Sequence, residues 1–322
     1  MYFNKTNNFF HGIMFHHFHD NHIHLKGQGT VSKNEFVDII NFIGRKNILD
    51  ADIFFEKFKS KELKENEVCL TFDDGIKSQI DVALPVLEQM KIKSFFFIYS
   101  SIFEGKTDNL ELFRYFRLNF FEDVNKFYKD FYKHLNFDLK KFFEENVQKI
   151  QTLKKDNPFY TIEDVKFRIV RDYHLDKKKY ENIIFFMMKE KNFIPSEFKD
   201  KIFFNIDDLK KVDNLGHLIG LHSHNHPTLI EKLNYDEQKI EYEKCSSILS
   251  KILNKSENGI KFMAHPCGNY NKNTLKILKE LGVELGFRAT MSIDNKMKLK
   301  KINSSHLEIA RENHSNILKN IS

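Results

Sequence analysis

The 322-residue sequence has no tryptophan, three cysteines, five prolines and twelve glycines. Each scarcity excludes something. Cys69, Cys245 and Cys267 are odd in number and far apart, which excludes a disulfide framework and a cysteine-rich zinc finger. Sparse glycine and proline leave no low-complexity linker, and no internal repeat is evident. No apolar run approaches the length of a membrane span. Met1-Tyr2-Phe3-Asn4-Lys5 lacks a basic segment leading into an apolar one. The expectation is a chain without a transmembrane segment, in a reducing, cytoplasmic setting. An excess of one charge is also missing. The net charge is +6, and lysine and glutamate interleave, as in Lys61-Glu62-Leu63-Lys64-Glu65. Such runs are solvated faces, so no nucleic-acid partner is expected.

What is present is enough apolar material for one large domain or two smaller ones, at 41% hydrophobic residues including 34 Phe. Short apolar runs alternate with helical patterns. Strands are expected at residues 12–15, 68–70, 94–99, 218–221, 261–264, 285–288 and 307–309. Ser32-Lys33-Asn34-Glu35 is a capping box that opens a helix through about Arg45. Further helices are expected at 81–91, 207–212, 236–253 and 273–281. Alternation of this kind predicts an α/β fold, a distorted or incomplete (β/α) barrel of parallel strands. From about residue 105 to 202 the strands stop, and Lys- and Phe-rich helical segments such as 120–131 and 139–150 take over. The expected organisation is a barrel built from 1–104 and 203–322. The insertion between them would serve as a lid or substrate-binding element.

Polar residues follow the predicted strands. His16-His17 follows the first, Asp73-Asp74 the second, His222-Ser223-His224-Asn225-His226 the run at 218–221, His265-Pro266-Cys267-Gly268 the run at 261–264, and Arg311 the last. In a parallel barrel these positions converge at the C-terminal face, where active sites are built. Two adjacent carboxylates repel, and a cation or a shared proton relieves them. His222 and His226 are four apart, but the preceding strand and Pro227 make a tight loop more fitting than a helix. Two histidines and one aspartate form a site with positions left for water and substrate. The second aspartate then stays free as a base. His19, His22 and His24 are read as loop residues, not as a second metal site.

Thr71-Phe72-Asp73-Asp74-Gly75 taken with His222-Ser223-His224-Asn225-His226 resembles the NodB-type polysaccharide deacetylases, carbohydrate esterase family 4. Residues 216–221 lead into the second motif as in that family. The segment 264–270 is similar to its Ala-Tyr-Pro-Tyr-Gly segment. The resemblance covers roughly 11–104 and 203–314. It implies Asp73 as catalytic base and Asp74, His222 and His226 as metal ligands. It also implies Cys267 at the position whose backbone N–H helps hold the oxyanion, with His265 beside it in place of an aromatic substrate contact. The family's acid is a His in a C-terminal Leu-x-His segment, from which Leu307-Glu308-Ile309-Ala310-Arg311 departs. Met14-Phe15-His16 is similar to the opening of a permuted subgroup that includes biofilm poly-N-acetylglucosamine deacetylases. His16 is therefore the expected acid, with His17 and His314 as alternates. Arg311 is expected to pair with Asp73 or to bind substrate.

The expected function is removal of an N-acetyl group from an amino sugar by a metal-dependent hydrolase. The divalent ion would be zinc first, with other first-row ions tolerated. The substrate would be a glycan or a surface-polysaccharide precursor, lipopolysaccharide included, carried on a nucleotide or a lipid. The alternatives are hydrolysis of another amide, such as a formamide on a sugar, and a non-catalytic scaffold that binds glycan or protein.

Overall fold

The structure is a computed structural model that describes residues 2–5, 7–106, 109–156, 160–256, 259–293 and 301–321. It divides into two compact units, Met1–Asp108 with Asp200–Ser322, and Asn109–Lys199.

The first unit holds the strands β1 (His11–Phe15), β2 (Phe18–His19), β3 (Val31–Ser32), β4 (Val68–Asp73), β5 (Phe95–Ile98), β6 (Leu218–Leu221), β7 (Phe262–Ala264), β8 (Leu285–Phe287) and β9 (Arg311–Asn313). Seven of them form one parallel sheet in the order β8-β7-β6-β5-β4-β1-β9. The sheet nearly closes. Ile309 bridges Phe287 of β8 in parallel, and two residues later Arg311 pairs with Gly12 of β1. The fold is thus a distorted (β/α) barrel of seven strands, as the alternation of strand and helix implied.

This closure moves one expected element. The last strand is Arg311–Asn313, not 307–309, so Arg311 opens the strand instead of following it. The earlier stretch is used against β8, where Ile309 N–H donates to Gly286 O at 2.9 Å and Arg288 N–H to Ile309 O at 2.8 Å. One segment serves both neighbours and spans the gap that an eighth strand would fill.

Strand side chains alternate faces with a period of two. Cys69 lies in the interior cluster with Phe95, Phe97, Phe287 and Ile309. Thr71 and Asp73, two and four residues on, point the same way. The other face of β4 packs Phe72 on Phe15 and Phe36. Phe36 belongs to the helix Lys33–Ile43, whose N-terminus carries the expected capping box of Ser32 and Glu35. The helix expected at 81–91 starts instead as a wide π turn, Gln79–Ala83, and becomes α-helical at Leu84–Met90. Pro85 has no N–H to give to the ladder, so the pattern changes there.

The second unit is helical. Asp123, Asp138, Thr161 and Asp176 cap four of its helices with their side chains. Its inside is aromatic, with Phe127, Phe131 and Phe167 buried and Phe127 edge-on to Phe167 at 5.5 Å. The segment expected to be helical at 120–131 begins its helix only at Val124, after the Asp123 cap, and 139–150 breaks at Asn146. No helix among the described residues is long and apolar enough to cross a membrane.

Candidate active site

Asp73 ends β4 inside the barrel and is 2% exposed. Its carboxylate is gripped by Arg311 from β9. Nη1 donates to Oδ1 at 2.6 Å and Nη2 to Oδ2 at 2.7 Å. The same guanidinium donates to Thr71 Oγ1 at 3.2 Å and to Arg288 O at 2.7 Å, which fixes its plane. Burial pushes the Asp73 carboxyl up, but Arg311, then His222 and His16, outweigh it and hold it below its ordinary value. Asp73 is therefore ionised at neutral pH.

Asp74 turns away from Asp73 because the backbone bends sharply. Asp74 has φ 77° and Gly75 φ 64°, a pair of left-handed residues in succession. The bend brings Asp74 Oδ1 to 3.3 Å from His222 Nε2 and 3.4 Å from His226 Nε2. One ligand atom from each of the three residues lies within 4.8 Å of the others, and no other such group occurs among the described residues. His222 and His226 reach Asp74 from a loop, the conformation that the strand before them and Pro227 after them favoured over a helix.

The three residues fit a divalent cation. His222 Nδ1 lies 2.8 Å from Ala264 O, an acceptor only, so the ring proton sits on Nδ1. That leaves Nε2, the atom facing Asp74, as the one whose lone pair a cation would take. Asp74 Oδ1 is buried with no hydrogen-bond partner, and a cation between it and the two rings would satisfy it. The spot favours positive charge: burial raises the Asp74 carboxyl, but charge on His226 and His222 outweighs this and holds it well below its ordinary value.

His16 follows β1 and is the remaining histidine near both carboxylates. Its Nε2 is 3.7 Å from Asp73 Oδ2 and 4.0 Å from Asp74 Oδ2, and its side chain is 29% exposed. Burial lowers its pKa while Asp74 and Asp73 pull it back up. His17 lies half-buried beside it, ring centroids 6.3 Å apart. Gln79, which the sequence does not flag, ties the ends of β1 and β4 together by donating to His16 O at 2.8 Å and Asp73 O at 2.6 Å.

The other expected residues are placed differently. His314 is buried in the wall, with Nδ1 3.1 Å from Met14 O and its ring stacked on Phe15. His265 is fully buried and does not line an open surface. Its Nε2 meets Leu307 O at 2.9 Å and its ring stacks on Tyr270 at 4.1 Å. It fills an aromatic slot as a packing ring, and burial drives its pKa down to about 3. Cys267 is exposed at φ 50° on the turn Pro266–Gly268. His24 is bound to Asp81 at 2.7 Å, and Asp20 Oδ1 accepts the N–H groups of His22, Ile23 and His24. That loop is held by Asp20 within it and by Asp81 of the π turn, and His19 lies not in the loop but in β2.

The polysaccharide deacetylase family model matches residues 60–115 and 174–286, more than half of the chain. The chain belongs to the polysaccharide deacetylase family. Solved deacetylases share the fold along nearly all of its length. The deacetylase PplD of Streptococcus pyogenes, solved with acetate, is 15% identical with a TM-score of 0.56, covering 97% of this chain and 98% of that one. A de-N-acetylase from Aggregatibacter actinomycetemcomitans is 13% identical with a TM-score of 0.55, covering 97% and 99%. IcaB from Ammonifex degensii is 12% identical with a TM-score of 0.51, covering 88% and 84%. At these identities the likeness is one of fold. No curated protein matches this family member in sequence.

Proposed function

We propose that this family member is a metal-dependent hydrolase that removes an N-acetyl group from an amino sugar. The observation that carries the reading is the split between its two carboxylates. Asp74 presents an unpartnered buried oxygen to two imidazoles, while Asp73 is held ionised by Arg311 a residue away. One is built as a ligand and the other as a base.

A bound divalent ion supplies Lewis acidity toward the acyl oxygen and toward water. Asp74, His222 and His226 hold it, and the two-His, one-carboxylate set suits zinc first. Asp73 takes the proton of the attacking water. Both its oxygens bond to Arg311, but each carboxylate oxygen keeps a second lone pair for that proton. His16 gives a proton to the leaving nitrogen as the C–N bond breaks, which yields acetate and a free amine. The backbone at Cys267 faces the oxyanion in this reading. β1 lies directly beside β4, which supports the permuted arrangement in which the first strand supplies the acid.

The substrate we propose is an amino sugar within a surface-polysaccharide precursor or glycan. The test is metal content together with acetate release from N-acetylated amino-sugar oligomers, before and after chelation. Activity lost on chelation and restored by zinc supports the reading. A purified protein that holds no divalent ion and gains no activity from added metal contradicts it in favour of a binding scaffold.

A further inference from the structure

The loop that carries His222 and His226 is bent in two places where ordinary residues resist bending. Ser223 has φ 63° and His226 φ 53°. Non-glycine residues hold such angles only where their surroundings over-determine them. The His226 N–H donates to Ser223 Oγ at 3.1 Å, which closes the turn from within. On one side, Ser100 and Ser101 donate their N–H groups to Ser223 O at 3.3 Å and His224 O at 3.0 Å, and Ser100 Oγ bonds His224 Nδ1 at 2.8 Å.

On the other side stands Glu241, on the helix Tyr235–Ile252 and 9% exposed. Its Oε2 accepts the N–H of His224 at 3.0 Å and that of Asn225 at 2.7 Å. Its Oε1 accepts Asn225 Nδ2 at 2.6 Å. All three bonds fall between the two histidines. The carboxylate accepts three donors at once, two of them backbone N–H groups that share one oxygen.

We infer that Glu241 is a positioning residue for the metal ligands. It fixes the span between His222 and His226 so that both Nε2 atoms meet at Asp74. It touches neither the ion nor the substrate. The inference rests on the metal-site reading above and adds to it the residue that keeps the site assembled. Partners of this kind, one step removed from the ligands, typically govern metal affinity by about 10- to 100-fold.

The test is the zinc dissociation constant of the full chain, measured by chelator competition, with the absorption spectrum of the cobalt-loaded protein alongside. Glu241→Leu removes both acceptors and leaves the His224 and Asn225 N–H groups unpaired. Zinc affinity is expected to fall about 10- to 100-fold, with a changed cobalt spectrum. Glu241→Gln is the conservative variant: its carbonyl oxygen can accept both backbone N–H groups while its amide donates to a flipped Asn225 Oδ1, and it is expected to keep most of the affinity. A role in charge alone predicts no such difference between the two. If Glu241→Leu fails to fold, Asn225→Ala removes one of the three bonds and is expected to weaken zinc by about threefold or more. Wild-type affinity in Glu241→Leu, or a Glu241→Gln variant no better than Glu241→Leu, overturns the inference and leaves the metal site standing. A wild-type chain that binds no divalent ion overturns both.

Discussion

Arg311 reaches Asp73 over Gly12. Gly12 and Arg311 face each other across the ladder of β1 and β9, and a Cβ at position 12 would lie 3.0 Å from Arg311 Cγ and 3.2 Å from Thr71 Cγ2. β1 lies between the strand that carries the arginine and the strand that carries the aspartate. Only a residue without a side chain leaves the path clear. Gly12→Val is therefore expected to displace the guanidinium and leave Asp73 with a weaker counter-charge. A carboxylate that loses such a partner is costly when buried, by about 3–5 kcal/mol if the pair is fully broken. Its pKa rises, so activity on the acid side is lost at a higher pH. The pH dependence of kcat/KM checks this. An acid limb that does not move in Gly12→Val contradicts the account of the pair.

Stability should fall early on acidification, because several histidines are buried neutral. Burial pushes His11, His217 and His314 down to about 4 from an ordinary 6.5. His217 Nδ1 accepts the Ser94 N–H at 3.0 Å, a role that a protonated nitrogen cannot fill. Below pH 6.5 the unfolded chain binds protons that the folded chain refuses. Stability is thus full above that pH and is lost as the pH falls toward 4, by up to about 1.4 kcal/mol per pH unit for each ring. His217→Gln keeps an acceptor and removes one titrating group. Urea unfolding between pH 6 and 5 should show a slope shallower by about 1 kcal/mol per pH unit. An unchanged slope would sink this assignment.

His16 and His314 are expected to separate in kinetics. His16 lies within 4.0 Å of both carboxylates, whereas His314 is stacked in the wall against Phe15. His16→Ala should lower kcat by about 10²- to 10⁴-fold, as loss of a general acid does, and retain metal. His314→Ala should leave a cavity that costs on the order of 2–4 kcal/mol in stability, with kcat little changed. The reverse pattern would move the acid to His314.

Much of this was legible in the sequence, for a physical reason. Asp73-Asp74-Gly75 and the His222 to His226 segment are local, and local spacing survives in a linear reading. The barrel was legible from alternating runs, and the Ser32 cap from its four residues. What the sequence did not reveal depends on residues far apart in the chain. Ile309 closes the barrel on Phe287, which shifted the last strand by a few residues. Glu241 and Gln79 sit mid-helix or in a π turn with no motif around them, and their partners are known only once the strand ends are assembled. His265 stood next to Pro266-Cys267-Gly268 like a site residue. Its burial is decided by Tyr270 and Leu307, which no spacing rule connects to it.

The central claim is that Asp74 ligates while Asp73 acts as the base. The most direct measurement is metal content and acetate release on the same preparation of Asp73→Asn. The account predicts bound metal at the wild-type level and acetate release lower by about 10²-fold or more. Acetate release at the wild-type rate, or loss of the metal with Asp74 intact, would contradict it.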